Sequence, residues 1–179
     1  MYLAITAYKN VKIDDVEDFI RNARKEAGEA VVQFFDAKFI AGFEHLFFAV
    51  LNALAAFKNK LNISKSLAVE ILLYAAAERQ IRNAVKSLGV KGETKDVAVV
   101  VLAESKEGVM SVLDKLSNIT KARQDESILE IKNEKFEAIR KLFSISDLEI
   151  ETKLERKGLE KEALKDLVIE RVALLVTRR

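Results

Sequence analysis

Three cationic side chains at helical spacing, Arg79, Arg82 and Lys86, are the groups in this sequence best placed to do chemistry. At about 100° per residue they share one face of a helix with Asn83, while Ile81, Ala84, Val85 and Leu88 share the other. Lys58, Lys60 and Lys65 enter from the preceding segment and extend the charge. A cationic row of this kind holds phosphates, and each one neutralised on a single strand adds roughly 0.7 to the salt slope of binding. The competing reading is a solvated face that only keeps the chain in solution.

Other chemistry finds less support. His45 is the one histidine and cysteine is absent, so no metal set with ligand spacing can be completed. His45 therefore reads as a satisfied core or subunit-face side chain. No serine sits in a nucleophile elbow. The glycines at 28, 42, 89, 92, 108 and 158 are scattered and form no phosphate-cradling loop. Glu70 and Glu78 lie far apart along a helix, with a helix break expected between them. Glu70 suits a helix start, where the dipole favours a carboxylate, and Glu78 suits the cap of the next helix. The residues point to no enzyme and no cofactor.

The elements that must hold the cationic row begin with Ser64 to Gly89. Its first half, Ser66 to Ala77, is apolar almost all round with Glu70 the only charge, which predicts a helix inside the protein. Its second half is two-sided and stops at Gly89. Ala41 to Phe57 is also nearly all apolar and rich in alanine, with Glu44, His45 and Asn52 grouped on about a third of the circumference. Small residues let helices approach closely, so these two segments are expected to form a buried pair.

Around them the chain reads as α/β (α+β), a small mixed sheet of about four short strands with a largely helical body. Tyr2 to Tyr8 alternates as a strand; Asp14 or Asp15 caps a helix with Val16, Phe19, Ile20, Ala23 and Ala27, stopped by Gly28; Val31 to Phe35 is a second strand. Val97 to Ala103 is continuous and β-branched, the mark of a strand covered on both faces. Val109, Val112, Leu113 and Leu116 give a short helix, Asn118 to Glu126 an exposed loop, Ile128 to Ile131 an edge strand, and Phe136 to Phe143 another helix. From Leu159 to about residue 177 runs a last helix. Its core stripe is Leu164, Leu167, Val168, Val172 and Leu175, but Ile169, Leu174 and Val176 widen the apolar arc to over half the circumference. Core packing needs only ~100° or somewhat more, so the excess predicts either a covering neighbour or a docking face.

The chain has 179 residues, enough for one domain with a full core, and a net charge of +2 from 30 basic and 28 acidic side chains. That balance is too even to declare a nucleic-acid binder, so an electrostatic site must come from local clustering. No apolar run reaches the ~18 residues of a membrane span, and Met1-Tyr2-Leu3 opens a strand rather than a signal peptide. The expectation is a single-domain cytoplasmic protein without a membrane partner.

Glu70-Ile71-Leu72-Leu73-Tyr74, then Arg79-Gln80-Ile81, then a small-residue helix ending at Gly89, resembles the kinase-binding regulatory subunit of the KEOPS (EKC) complex, of archaeal type. That assembly makes threonylcarbamoyl-adenosine on tRNA. The likeness also covers Phe43 to Phe57 and Leu167 to Leu175, but not Ser105 to Asn133. The resemblance implies a non-catalytic mixed α/β protein that binds the small atypical kinase of the complex and recruits tRNA by its single-stranded 3′ CCA end. On this chain it implies that Ile169, Val172, Leu174 and Val176 meet the kinase. Arg79, Arg82 and Lys86, with Lys60, would take phosphates, and Gln80 would read a base edge. No aromatic stacking platform is evident, since Tyr74 lies in the buried half. A stand-alone RNA-binding module, and a small-molecule binder using the buried helix pair, are the alternatives.

Overall fold

The alternation at the N-terminus becomes strand β1 (Tyr2–Lys9), and Asp15 caps helix α1 (Val16–Ala27) by accepting from the Asp18 N–H at 2.8 Å. Gly28, at a φ of 61°, closes that helix. Next come β2 (Val31–Asp36), α2 (Phe43–Lys58), α3 (Leu67–Ala75) and α4 (Ile81–Leu88). Strand β3 (Val97–Ala103) leads to α5 (Lys106–Thr120) and the two-residue β4 (Arg123–Gln124). The chain ends with α6 (Asn133–Leu142), α7 (Asp147–Lys153), α8 (Glu160–Ala173) and a 3₁₀ turn over Leu174–Thr177. This computed structural model describes residues 1–154 and 156–177. None of the described helices is long and apolar enough to cross a membrane.

The residues fall into two compact units, Met1–Ala37 with Gly89–Leu129 and Lys38–Leu88 with Glu130–Arg179. The first holds the sheet, in the order β2-β3-β1-β4. Its class is the α/β expected. The sheet anticipated as mixed has antiparallel pairs only, because β3 inserts between β1 and β2 and bonds to both. The continuous β-branched run of β3 is buried on both faces, as its pattern predicts. On one face Tyr8, Phe34, Val99 and Val101 pack with Phe19 and Ala23 of α1 and with Val112 and Leu116 of α5. The Phe19 and Phe34 ring centroids are 5.0 Å apart.

The second unit is helical. α2 packs on α3, as the alanine pattern predicts, and also on α8. Ala49, Ala53 and Ala75 are fully buried, and their small side chains permit the close approach. Ile139, Phe143, Ile145, Ile150, Leu164, Leu167 and Val168 form a continuous core of α6, α7, α8 and the α6–α7 connection. Glu70 is completely buried and does more than complement a dipole. Its carboxylate accepts from the Ile63 and Ser64 backbone N–H groups at 2.7–3.1 Å, tying down the loop that carries Lys60.

Four local expectations are corrected. Ile128 to Ile131 is not a strand: Glu126–Leu129 form a 3₁₀ turn, and the fourth strand is Arg123–Gln124. Backbone bonding decides this, since both β4 side chains are exposed and carry no hydrophobic signal; the Asp125 N–H extends the pairing by donating to Ala7 at 2.9 Å. The segment expected as a loop is helical up to Thr120, because Ser105 caps α5 and polar residues fill its outer face. The helix expected to run to residue 177 stops at Ala173 and tightens into the 3₁₀ turn. Helix α7 was not anticipated, although Ser146 and Glu149 form a reciprocal capping box at its start.

Candidate functional site

The break between α3 and α4 is built by hydrogen bonds and not by a glycine. The Glu78 N–H donates to the Leu73 carbonyl at 3.0 Å and the Ala77 N–H to that of Tyr74 at 2.9 Å. Ala77 thereby takes the left-handed position, at a φ of 49°, that glycine usually fills. Helix α6 ends the same way, with Ile145 donating to Arg140, Ser144 to Lys141, and Ser144 at a φ of 51°. These two helix ends lie along one open cleft of about 670 Å³. Asn83, Lys86 and Ser87 of α4 also line it, together with Arg171 of α8.

His45 pins this region from below. It is fully buried; its Nδ1 accepts from the Ala41 N–H at 3.0 Å and its Nε2–H donates to the Ala75 carbonyl at 2.8 Å. Its ring meets Phe143, a cleft residue, edge-on at 5.5 Å. Burial pushes the imidazole pKa down to about 4, so it stays neutral with both nitrogens bonded. Its role is structural, and no group of three or more potential ligands for a metal is found among the described residues.

Arg79, Gln80, Arg82 and Lys86 are all exposed, on α4 or the turn before it. Lys60 is exposed at the end of α2, at a left-handed φ of 57°. Among these residues only Lys86 lines the cleft. The amphipathic reading of α4 is corrected on its apolar side. Ala84 and Leu88 are buried, but Ile81 and Val85 are 45% and 48% exposed. One turn apart, they put an aliphatic surface beside the cations. Tyr74 is buried, as expected of a residue in the first half.

The four residues of the C-terminal segment divide. Val172 is fully buried and belongs to the core, because it projects inward from α8. Ile169 is half-buried, whereas Leu174 and Val176, on the 3₁₀ turn, are 40% and 46% exposed. The larger apolar surface is one that periodicity concealed. Phe43, Phe48 and Leu51 of α2 are exposed and Phe47 is half-exposed. They span an arc of about 140° at ~100° per residue, and the rings of Phe43 and Phe47 stack at 5.9 Å. The polar group of Glu44, His45 and Asn52 did not mark this wet side, because His45 is buried and Glu44 bridges to Lys165 of α8 at 3.0 Å.

Arg171 is a second group that spacing did not single out. It is paired with Glu149, whose other oxygen accepts from the Ser146 N–H and hydroxyl at 2.8 and 3.0 Å. The backbone bond from Ser146 and then Arg171 hold the Glu149 carboxyl down at about 2.

The chain is 35% identical over 96 residues to "Regulatory protein Cgi121" of Methanocaldococcus jannaschii, a match covering 54% of this chain and 61% of that protein. A family described as kinase binding protein CGI-121 matches residues 8–175, nearly the whole of both units, and this chain belongs to that family.

Proposed function

We propose that this protein is a non-catalytic adaptor that binds the small atypical kinase of the KEOPS complex and brings it tRNA by the single-stranded 3′ CCA end. The observation that carries the kinase half is the exposed apolar surface of α2, on a helix packed against α8, whose continuation exposes Leu174 and Val176. Large exposed apolar surfaces on a folded chain mark places where another macromolecule sits, and the family description supports a kinase as that partner. The proposed anchors are Ile169, Leu174 and Val176 with Phe43, Phe48 and Leu51; Val172 supports them from the core.

The RNA half is supported by the exposed Arg82 and Lys86 on α4 and Arg79 in the turn before it. Ile81 and Val85 between them supply the apolar contact for bases that no aromatic provides. Phosphates go to the cations, and Gln80 and Asn83 offer amides to base edges. The test is a pull-down with the kinase and a gel shift with tRNA. Wild-type protein retains both, and tRNA lacking its CCA end is not shifted. Absence of kinase capture by folded protein, or an equal shift by truncated tRNA, removes the corresponding half.

A further inference from the structure

The exposed face of α2 does not end with Leu51. Ala55 and Lys58 are exposed too, and at about 100° per residue the three share an arc of roughly 60° that runs into the α2–α3 loop. That loop exposes Leu61 and Ile63, at 62% and 36%, between Lys60 and Lys65. From Lys58 to Val69 the sequence carries three lysines and no acidic residue. None of the three is in an ion pair among the described residues. The face is therefore aromatic at the start of α2 and cationic, with aliphatic side chains, at its end.

The loop is fixed before any partner arrives. The Lys60 N–H donates to the Phe57 carbonyl at 3.2 Å and the Leu61 N–H to that of Ala56 at 2.9 Å. Asn62 donates its side-chain amide to the Ser64 carbonyl at 3.0 Å, and the Ser66 N–H donates to the Ser64 hydroxyl at 3.1 Å. Buried Glu70 accepts from the Ile63 and Ser64 N–H groups. A loop held in this way loses little freedom on binding, so its two exposed aliphatic side chains form a preorganised contact.

The chemistry of the loop selects the class of partner. Nucleobases are held by aromatic planes and by free amides or hydroxyls at their edges. Here no aromatic side chain lies between Lys58 and Ser66, the Asn62 amide is engaged, Ser64 is buried and the Ser66 hydroxyl caps α3. Ammonium groups around aliphatic side chains suit instead a protein segment that sets carboxylates beside apolar residues.

We infer that the α2–α3 loop docks an acidic segment of the kinase, with carboxylates on Lys58, Lys60 and Lys65 and apolar side chains on Leu61 and Ile63. The inference rests on the kinase reading and deepens it, since the loop continues the α2 face proposed for that partner. It moves Lys60, which the family resemblance gives to RNA phosphates, to the protein contact.

The experiment measures the affinity of the full chain for the purified kinase and for tRNA at low and at high salt. The proteins compared are wild type, Lys58→Glu with Lys60→Glu, and Leu61→Asp. Both variants are expected to bind the kinase roughly tenfold more weakly at low salt and to bind tRNA as wild type does. Raising the salt should close the gap for the lysine variant, because exposed charges are screened, and leave it open for Leu61→Asp. Thermal melting checks the fold; if Leu61→Asp is unfolded, the lysine variant and its salt dependence decide. Unchanged kinase affinity in the folded variants overturns the inference, and so does a loss confined to tRNA, which would give the loop to RNA. If Phe48→Asp with Val176→Asp releases the kinase while the loop variants hold it, the inference falls and the kinase reading stands. Failure of the wild-type chain to bind the kinase removes both.

Discussion

The two units of this chain treat apolar surface differently. Among the described residues, the exposed large hydrophobics of the sheet unit are Met1, Tyr2 and Met110, two at the N-terminus and one isolated on α5. The helical unit exposes ten, including Phe43, Phe48 and Leu51 on α2, Ile81 and Val85 on α4, and Leu174 and Val176. A sheet that buries its central strand on both faces has little left to offer a partner. The helical unit leaves apolar faces exposed, and the proposed function places the binding groups there. On that proposal the sheet unit serves as scaffold and the helical unit as adaptor.

The strongest way to break the contrast is to put charge on the apolar surface. Phe48→Asp with Val176→Asp is expected to cut kinase affinity by about a hundredfold or more, because a few central residues carry most of an interface's energy. Circular dichroism and melting should show a folded protein; an unfolded one would make these residues core. Leu73→Ala in α3 is the control, expected to cost about 2–5 kcal/mol in denaturant unfolding because its side chain is wholly buried.

Acid sharpens the comparison next. His45 has a folded pKa near 4, below its ordinary 6.5, so the stability linked to its neutral form is fully present above pH 6.5. It is lost as pH falls from about 6.5 to about 4, and amounts to roughly 3 kcal/mol. His45→Gln should flatten this part of the urea-denaturation profile. Glu149 acts in a lower window: its depressed pKa means support that is present above pH 4.5 and disappears as pH drops toward 2. A pH profile unchanged by His45→Gln would contradict the account of the pinned helix ends.

Arg79→Glu with Arg82→Glu should lower tRNA affinity and reduce the salt slope by roughly 0.7 for each phosphate no longer neutralised, with no change in melting temperature. An unaltered slope would return α4 to a merely solvated face. The smallest effect is expected from Ser144→Gly. Removing a left-handed strain of ~1–2 kcal/mol, offset by the extra freedom of unfolded glycine, should raise stability by up to about 1 kcal/mol.

How far the sequence was legible follows the same division. The strand of Val97 to Ala103, a cap at Asp14 or Asp15 and the packing of α2 on α3 could all be read from short-range patterns, and the structure puts the cap at Asp15. β4 could not, because its two exposed residues pair through backbone bonds that leave no mark in composition. The exposure of Arg82 and Lys86 on α4 was legible from charge spacing, but Arg79, expected on the same helix face, lies in the turn before the helix because the chain breaks between α3 and α4. The exposed phenylalanines were not: the polar residues of Phe43 to Phe57 include the buried His45, so only the fold decides which apolar side is covered. Arg171 was missed for a related reason, since its place at the cleft depends on Glu149, twenty-two positions away.

The central claim is that kinase and RNA meet separate faces of the helical unit, and one parallel capture assay addresses it. Immobilised wild-type, Phe48→Asp/Val176→Asp and Arg79→Glu/Arg82→Glu proteins, each verified as folded, are offered the kinase and tRNA in turn. The account predicts that the first variant loses kinase and keeps tRNA, and that the second keeps kinase and loses tRNA. Both folded variants losing both partners, or neither losing either, would contradict it.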